Sequence, residues 1–306
     1  MLGKVKAKGI TLFLLLFFSV AVLFGAGITP KKVKYRYFRG QKNLLRVTFM
    51  DVGQGDAELI QTPSGKVILI DGGNGGNRYS RIDYGKKVVV PYLKLRGIKK
   101  IDIMIASHPH ADHIGGLIYV LKTMPVSVVY DAGLDYPSPV YRAFLKEIDR
   151  SGAEYKIMRT GDKLDFGPGV KVTVLNPSRI YRNVNNNSIT FKMTYKAMSF
   201  LFTGDIEREA ENDILYRAGN SIQSFFIKVP HHGSRTSIVP EFLDAVNPTY
   251  AVISVGRNNS FGHPNARMLE AYADRNVMIF RTDYQGNIDV KTDGVHYGIK
   301  TFPLRY

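Results

Sequence analysis

Cysteine is absent from all 306 residues. That excludes disulfides, thiolate metal sites and a cysteine nucleophile, and it is compatible with either side of a membrane. Acidic residues are scarce beside basic ones, 26 against 42, and the formal net charge is +16. A surface this basic favours polyanions: nucleic acid, phosphorylated envelope polymers or anionic lipid headgroups. There is no internal repeat at solenoid spacing, and the 29 glycines fall in short punctuating motifs rather than a low-complexity tract. Histidine is scarce too. The chain has seven, and three of them sit in one stretch, ASHPHADHIGG at 106–116.

The first 28 residues carry Lys4, Lys6 and Lys8 followed by an uncharged stretch from Gly9 to Pro30. Ile10 to Ile28 is 19 residues, enough to cross a hydrocarbon core of ~30 Å as a helix. The segment reads either as a cleaved secretory signal, with Gly25, Ala26 and Gly27 near a cut site, or as a retained membrane anchor. The body is expected on the extracytoplasmic side, anchored or secreted, although Lys31, Lys32, Lys34, Arg36, Arg39 and Lys42 leave the positive-inside rule without a clear direction. Residues 29–43 read as a polar, basic linker, and 44–306 as one folded body with no second linker.

From Leu44 the chain alternates apolar strands with glycine turns and, later, helices. LRVTFMDVG and KVILIDGG read as two early strands around the Pro63-Ser64-Gly65 turn. IDIMIASH is a short apolar run of buried-strand character, and HIGGLIYVLKT starts a helix directly after it. KVTVLNP, NSITFKMTY and MSFLFTGD are strands; EREAENDILYRAG is helical; FFIKVPHHGS returns to a strand. Strand blocks interrupted by single helices, with polar residues at strand ends, predict an α/β domain whose helices cover its sheets.

SHPHADH has a direct chemical reading. In an extended loop residues i and i+2 point the same way, so His108 and His110 can offer ring nitrogens to one cation. Asp112 and His113 follow at once and can serve a second cation beside it. Imidazole and carboxylate donors without sulfur suit Zn²⁺, Mn²⁺ or Fe²⁺. Gly115 and Gly116 let the backbone crowd past the site into the helix.

This H-x-H-x-D-H pattern resembles the metal loop of the metallo-β-lactamase superfamily. The other superfamily elements occur in order: VILIDGG with Asp71, FLFTGD with Asp205, and VPHHGS with His231. FMDVGQGDAELI, NNNSITF, FTGDIEREAE and SVGRNNSFGHP narrow the resemblance to the hydrolase domain of competence-type DNA-uptake channel proteins (ComEC-like), from about Leu44 to at least Gly286. The resemblance implies a four-layer αββα sandwich, two mixed sheets flanked by helices, with two divalent cations, Zn²⁺ or Mn²⁺, at one edge between the sheets. It implies His108, His110 and Asp205 around one ion, and Asp112, His113, Asp205 and His231 around the other. The histidine that many superfamily members place before the bridging aspartate is missing. NVNNNSITF stands there, with Asn187, or failing that Asn185, near the first metal, and an amide oxygen in that position favours Mn²⁺.

Such a site suits phosphodiester cleavage, with Asp112 orienting the attacking water and His232 available as a proton donor. Ser234, Arg235 and His263 are candidate substrate contacts, and Asp51, Gln54, Asp56 and Asp71 are candidates to support the metal donors from behind. The leading expectation is a nuclease acting on single-stranded DNA, in uptake or in scavenging. A phosphodiesterase for envelope polymers or small phosphoesters is the rival enzyme, and a basic, non-catalytic DNA-binding module is the rival outside enzymology. The membrane is an expected partner through the N-terminal apolar segment.

Overall fold

The computed structural model describes residues 31–32, 35–76, 82–237 and 239–302; the apolar segment 10–28 lies outside them. Among the described residues no helix is long and apolar enough to cross a membrane.

Strand β1 (Lys31–Lys32) is followed by β2 (Leu45–Phe49), β3 (Glu58–Gln61), β4 (Val67–Ile70), β5 (Ile101–Ile105), β6 (Val126–Asp131), β7 (Glu154–Ile157) and β8 (Val170–Asn176). Then come β9 (Thr190–Tyr195), β10 (Met198–Phe202), β11 (Phe226–Lys228), β12 (Tyr250–Ile253), β13 (Met278–Arg281), β14 (Asn287–Thr292) and β15 (His296–Phe302). They form a sheet in the order β1-β15-β14-β2-β3-β4-β5-β6-β7 and a second in the order β13-β12-β11-β10-β9-β8. Both are mixed: β4, β5, β6 and β7 run parallel in the first, and β10, β11, β12 and β13 in the second.

The period-two alternation of each strand builds the layers. Val47, Phe49, Ile60, Ile68, Ile70, Ile103 and Ile105 point inward and meet Phe200, Phe202, Phe226, Tyr250 and Val252 of the second sheet in one buried core. The intervening Leu59, Leu69 and Met104 face outward under helices α1 (Val90–Leu95), α2 (Ala111–Thr123) and α3 (Pro139–Ser151). On the far side Leu201, Ile227, Ala251 and Ile253 lie under α4 (Arg208–Ala218), α5 (Pro240–Val246) and α6 (Ala266–Ala273). The result is the expected four-layer αββα sandwich.

One expectation needs correction. The early pair of strands is a meander of three, because Glu58–Gln61 pairs antiparallel with both neighbours. The sequence shows no alternation there, because the strand buries Glu58, Leu59 and Ile60 in succession. The described part of 29–43 packs against the body. Lys31–Lys32 pairs with β15, Phe38 is buried, and the Tyr35 hydroxyl donates to Asp289 Oδ2 at 2.6 Å.

The parallel strands aim their C-terminal ends at one edge, where α2 must start close to the loop after β4. Gly116 N donates to Gly73 O at 2.8 Å, and Gly72 N to His113 O at 2.7 Å. A Cβ on Gly116 would overlap the Gly72 carbonyl, and one on Gly115 the Gly75 amide, so both positions require glycine.

In the first turn of α4, Glu211 is buried, and its Oε2 has no hydrogen-bond partner. Burial pushes its carboxyl up from 4.5 to about 8. A raised carboxyl pKa favours the folded state at low pH and loses that contribution as pH climbs to the folded value. Stability should therefore fall between pH ~4.5 and ~8 by at most about 1.4 kcal/mol per unit through this group. Glu211→Gln should flatten that part of the Tm-versus-pH curve. An unchanged slope would show that Glu211 ionises freely in the fold.

Candidate metal centre

The loops after β4, β5, β10 and β11 bring Asp71, His108–His113, Asp205 and His231–His232 together at the sheet edge. Asp205 is the hub. Its Oδ2 lies 3.2 Å from His113 Nε2, 3.4 Å from His232 Nε2, and 3.9 Å from both His108 Nε2 and His231 Nε2. His110 Nδ1 lies 3.0 Å from His108 Nε2. Among the described residues four compact donor groups result: His108–His113–Asp205, Asp112–His113–His232, Asp56–Asp71–His113 and Asp56–Asp205–His232.

What lies behind the rings fixes which nitrogen faces the hub. His113 Nδ1 meets Asp71 Oδ2 at 2.8 Å, and Asp71 is held by Ser107 N at 2.8 Å and by the Ser107 hydroxyl at 2.6 Å. His232 Nδ1–H donates to the Ser254 carbonyl at 2.9 Å, with Asp56 Oδ1 at 3.3 Å. His108 Nδ1 lies against the hydroxyls of Ser107 and Ser188, at 3.0 and 3.3 Å. Each ring is thus anchored through Nδ1 and presents Nε2, the arrangement that orients metal-binding histidines.

The bare donor set is unbalanced in charge. Asp56, Asp71 and Asp205 are buried, and Asp112 stands beside them. Lys228, the one buried lysine among the described residues, contacts Asp56 at 2.5 Å and lies 4.0 Å from Asp205. Burial opposes the charge on His113, but Asp205, Asp112 and Asp71 outweigh it and push the ring well up. Burial likewise opposes His232, and Asp205 and Asp56 outweigh it, up to about 10. His108 goes the other way, pushed well down by burial and by His113. Burial works against the Asp205 charge too, yet His232 and His113 hold that carboxyl well below the usual range. His232 Nε2 and Asp205 Oδ1 remain buried without hydrogen-bond partners. Converging imidazole nitrogens, excess buried carboxylate and orphaned donor atoms fit a divalent cation.

The remaining candidate residues divide between the donor groups and their surroundings. Of the adjacent histidines, His232 rather than His231 joins Asp112 and His113; His231 is partly exposed and turns its Nδ1 to Glu207 Oε1 at 3.2 Å. The motif spacing cannot separate the two, because both adopt left-handed backbone (φ 48° and 53°) in a turn that reverses local side-chain direction. Asn187 is spent on the fold: its Oδ1 accepts from Tyr181 N, and its Nδ2 donates to the carbonyls of Tyr181 and Asn183. The amide oxygen left without a donor in that loop is Asn185 Oδ1.

Asp56 and Asp71 stand directly behind the donors, but Asp51 and Gln54 do not. Asp51 accepts from Gly53 N, and Gln54 Oε1 accepts from Gly256 N at 3.1 Å, tying two loops together. Ser234 is buried and its hydroxyl pairs with Thr236, whereas Arg235 is exposed. His263 stands 5.5 Å from the His231 ring, and burial, with His232 and His231, lowers it to about 4. Lys228 was overlooked in the sequence. Its signal was a lone cation inside the apolar run FFIKVP, and burial of that cation is opposed but outweighed by Asp56 and Asp205.

Fold and donor set together define a class. The family model of the Metallo-beta-lactamase superfamily matches residues 50–257, and the chain belongs to that superfamily. Within it the chain is similar to ComE operon protein 3 of Bacillus subtilis, 30% identical over 80% of this chain and 33% of that protein. It is also similar to Competence protein ComA of Neisseria gonorrhoeae, 26% identical over 87% and 34%, and to Recombination protein 2 of Haemophilus influenzae, 30% identical over 80% and 28%. The chain spans about a third of the length of these curated relatives. Among solved structures, Igni18, a metallo hydrolase from Ignicoccus hospitalis, superposes with TM-score 0.53 at 14% identity, covering 80% of this chain and 98% of that one. CmlA, a diiron beta-hydroxylase from Streptomyces venezuelae, does so with TM-score 0.50 at 13% identity, covering 82% and 54%. These likenesses show the fold.

Two outcomes are expected. His232→Ala should weaken Mn²⁺ binding more than His231→Ala, while Asp71→Asn, which alters the partner of His113 Nδ1 and of Ser107, should weaken it about 10–100-fold; equal losses at 231 and 232 would remove the distinction drawn between them. Because His113 and His232 are protonated in the bare site, metal loading should release protons and weaken as pH falls. Calorimetry in buffers of different ionisation enthalpy reads that release directly.

Proposed function

We propose that the protein is a metal-dependent phosphodiesterase that cleaves single-stranded DNA and contributes to DNA uptake. The observation that carries this reading is the Asp205 hub: four imidazole Nε2 atoms within 3.9 Å of one carboxylate oxygen, at the sheet edge. Divalent cations bound there supply Lewis acidity to a phosphoryl oxygen and to an attacking water. His108, His113 and Asp205 would hold one cation, with His110 alongside, and Asp112, His113 and His232 a second.

Asp112 is the most open acid of the set, with its side chain 32% exposed. His113 and His232 outweigh its burial and hold it low, so it stays ionised and suits orienting a water rather than storing a proton. His263, neutral at pH 7 given its lowered pKa, can donate a hydrogen bond to a leaving oxygen without adding charge. Support for DNA as substrate comes from the basic composition and from the kinship with competence proteins. The retained donors speak against a purely binding role. The reading includes an extracytoplasmic body carried by the N-terminal apolar segment.

The test strips the chain of metal, reloads it with Mn²⁺ or Zn²⁺ and follows labelled single-stranded DNA. Metal-dependent cleavage is expected, with His108→Ala/His110→Ala reduced to background. A chain that binds metal but cuts no DNA would turn the reading toward envelope or small phosphodiesters. A chain that binds none would end the enzymatic reading.

A further inference from the structure

Three arginines from three separate segments, each within a few residues along the chain of Asp205, His232 or His263, line one cavity of about 500 Å³. Arg208 opens α4, Arg235 lies in the loop after His232, and Arg267 is in the first turn of α6, with Asn265 between them. Main-chain bonds hold the segments together: Arg208 N donates to Thr236 O at 3.2 Å, and Asn265 N to Gly233 O at 2.8 Å. Among the described residues none of the three arginines forms a salt bridge. Arg179, Arg275 and Arg281, by contrast, each pair with a carboxylate. Three unpaired forks around one hollow are suited to phosphate oxygens.

A second feature stands on the same loop. Phe261 is 67% exposed, and its ring stacks on His263 at 5.8 Å and 28°. His263 in turn stands 5.5 Å from His231. The loop is built rather than loose: Asn259 Oδ1 accepts from the amides of Phe261 and His263, and Asn259 Nδ2 donates to the carbonyls of Gly256 and His263. An aromatic face held open beside a metal centre has a natural occupant in a nucleobase.

We infer that Arg208, Arg235 and Arg267 hold phosphates flanking the scissile bond of a single-stranded polynucleotide, while Phe261 stacks one of its bases. This rests on the nuclease reading and extends it, because a phosphate cradle alone would serve any phosphate polymer and the aromatic platform selects one with bases. Each phosphate contact on a single strand contributes ~0.7 to the log–log salt slope.

The test measures binding apart from turnover, in the full chain carrying His108→Ala/His110→Ala. Anisotropy of a labelled single-stranded oligonucleotide is followed against NaCl, with an abasic oligomer of equal length as the second probe. Arg208→Gln/Arg235→Gln/Arg267→Gln should weaken both probes by about 10- to 100-fold at low salt and lower the slope by about 2. Phe261→Ala should weaken the base-bearing probe about tenfold and the abasic one little. Arginine-to-lysine versions keep the charge and should restore most of the slope, which guards against misfolding as the cause. An unchanged slope in the triple glutamine variant, or equal effects of Phe261→Ala on both probes, overturns the inference. If binding behaves as expected but the intact chain cuts no DNA, the nuclease reading fails and the polynucleotide subsite stands. If the chain cuts DNA while the variants bind as before, only the subsite falls.

Discussion

The Asp205 carboxylate is the constraint on which the rest of this site depends. It is buried at the seam between two sheets, with imidazole nitrogens on several sides and a lysine 4.0 Å from its other oxygen. An ionised carboxylate in that position is costly unless it is paired. The surrounding acids make the cost larger, because Asp56, Asp71 and Asp112 add negative charge that Lys228 alone cannot offset. These acids push His113 and His232 up against the opposing effect of burial, so positive charge at the hub is favoured. A divalent cation supplies it with no protonated nitrogens, which is why the arrangement reads as a metal centre rather than as a structural ion-pair network.

The scaffold accepts local strain to make that convergence possible. His231 and His232 both sit in left-handed backbone, followed by Gly233 at φ 83°. Consecutive non-glycine residues in that region cost on the order of 1–2 kcal/mol each. The turn is kept because Asn265 and Gly204 meet its main chain and the Ser254 carbonyl receives the His232 ring. On the opposite sheet, Gly115 and Gly116 allow α2 to start within contact of the loop carrying Asp71. Each sheet therefore carries its own distortion at the point where it delivers ligands, and the undistorted core between them holds the two halves in register.

Much of this was legible in the chain. Alternating apolar residues announced most strands, and His108, His110, Asp112 and His113 announced a metal loop by type and spacing alone. The meander strand Glu58–Gln61 was missed because only two apolar residues mark it. The grouping of His232 with Asp112 and His113, and the bonds that tie Asn187 to Tyr181, depend on backbone angles and turn geometry that no local pattern encodes. Lys228 is the instructive omission. A charge inside an apolar strand is expensive, and it is tolerated here because Asp56, distant in sequence, lies against it.

Neither the fold nor the donor set selects the reaction. The same sandwich underlies a metallo hydrolase and a diiron hydroxylase, so the chemistry must be set by what surrounds the cations and by what can reach them. Here the neighbouring segments carry a cavity lined by Arg208, Arg235 and Arg267 and an exposed aromatic ring, Phe261. Both features are built from the segments that shape the metal centre: Arg208 follows Asp205 by three residues, and Arg235 follows His232 by three. A substrate held by those arginines is therefore held relative to the cations, through a few bonds of rigid main chain. Positioning and chemistry share one piece of backbone, so a change that loosens either turn should disturb both.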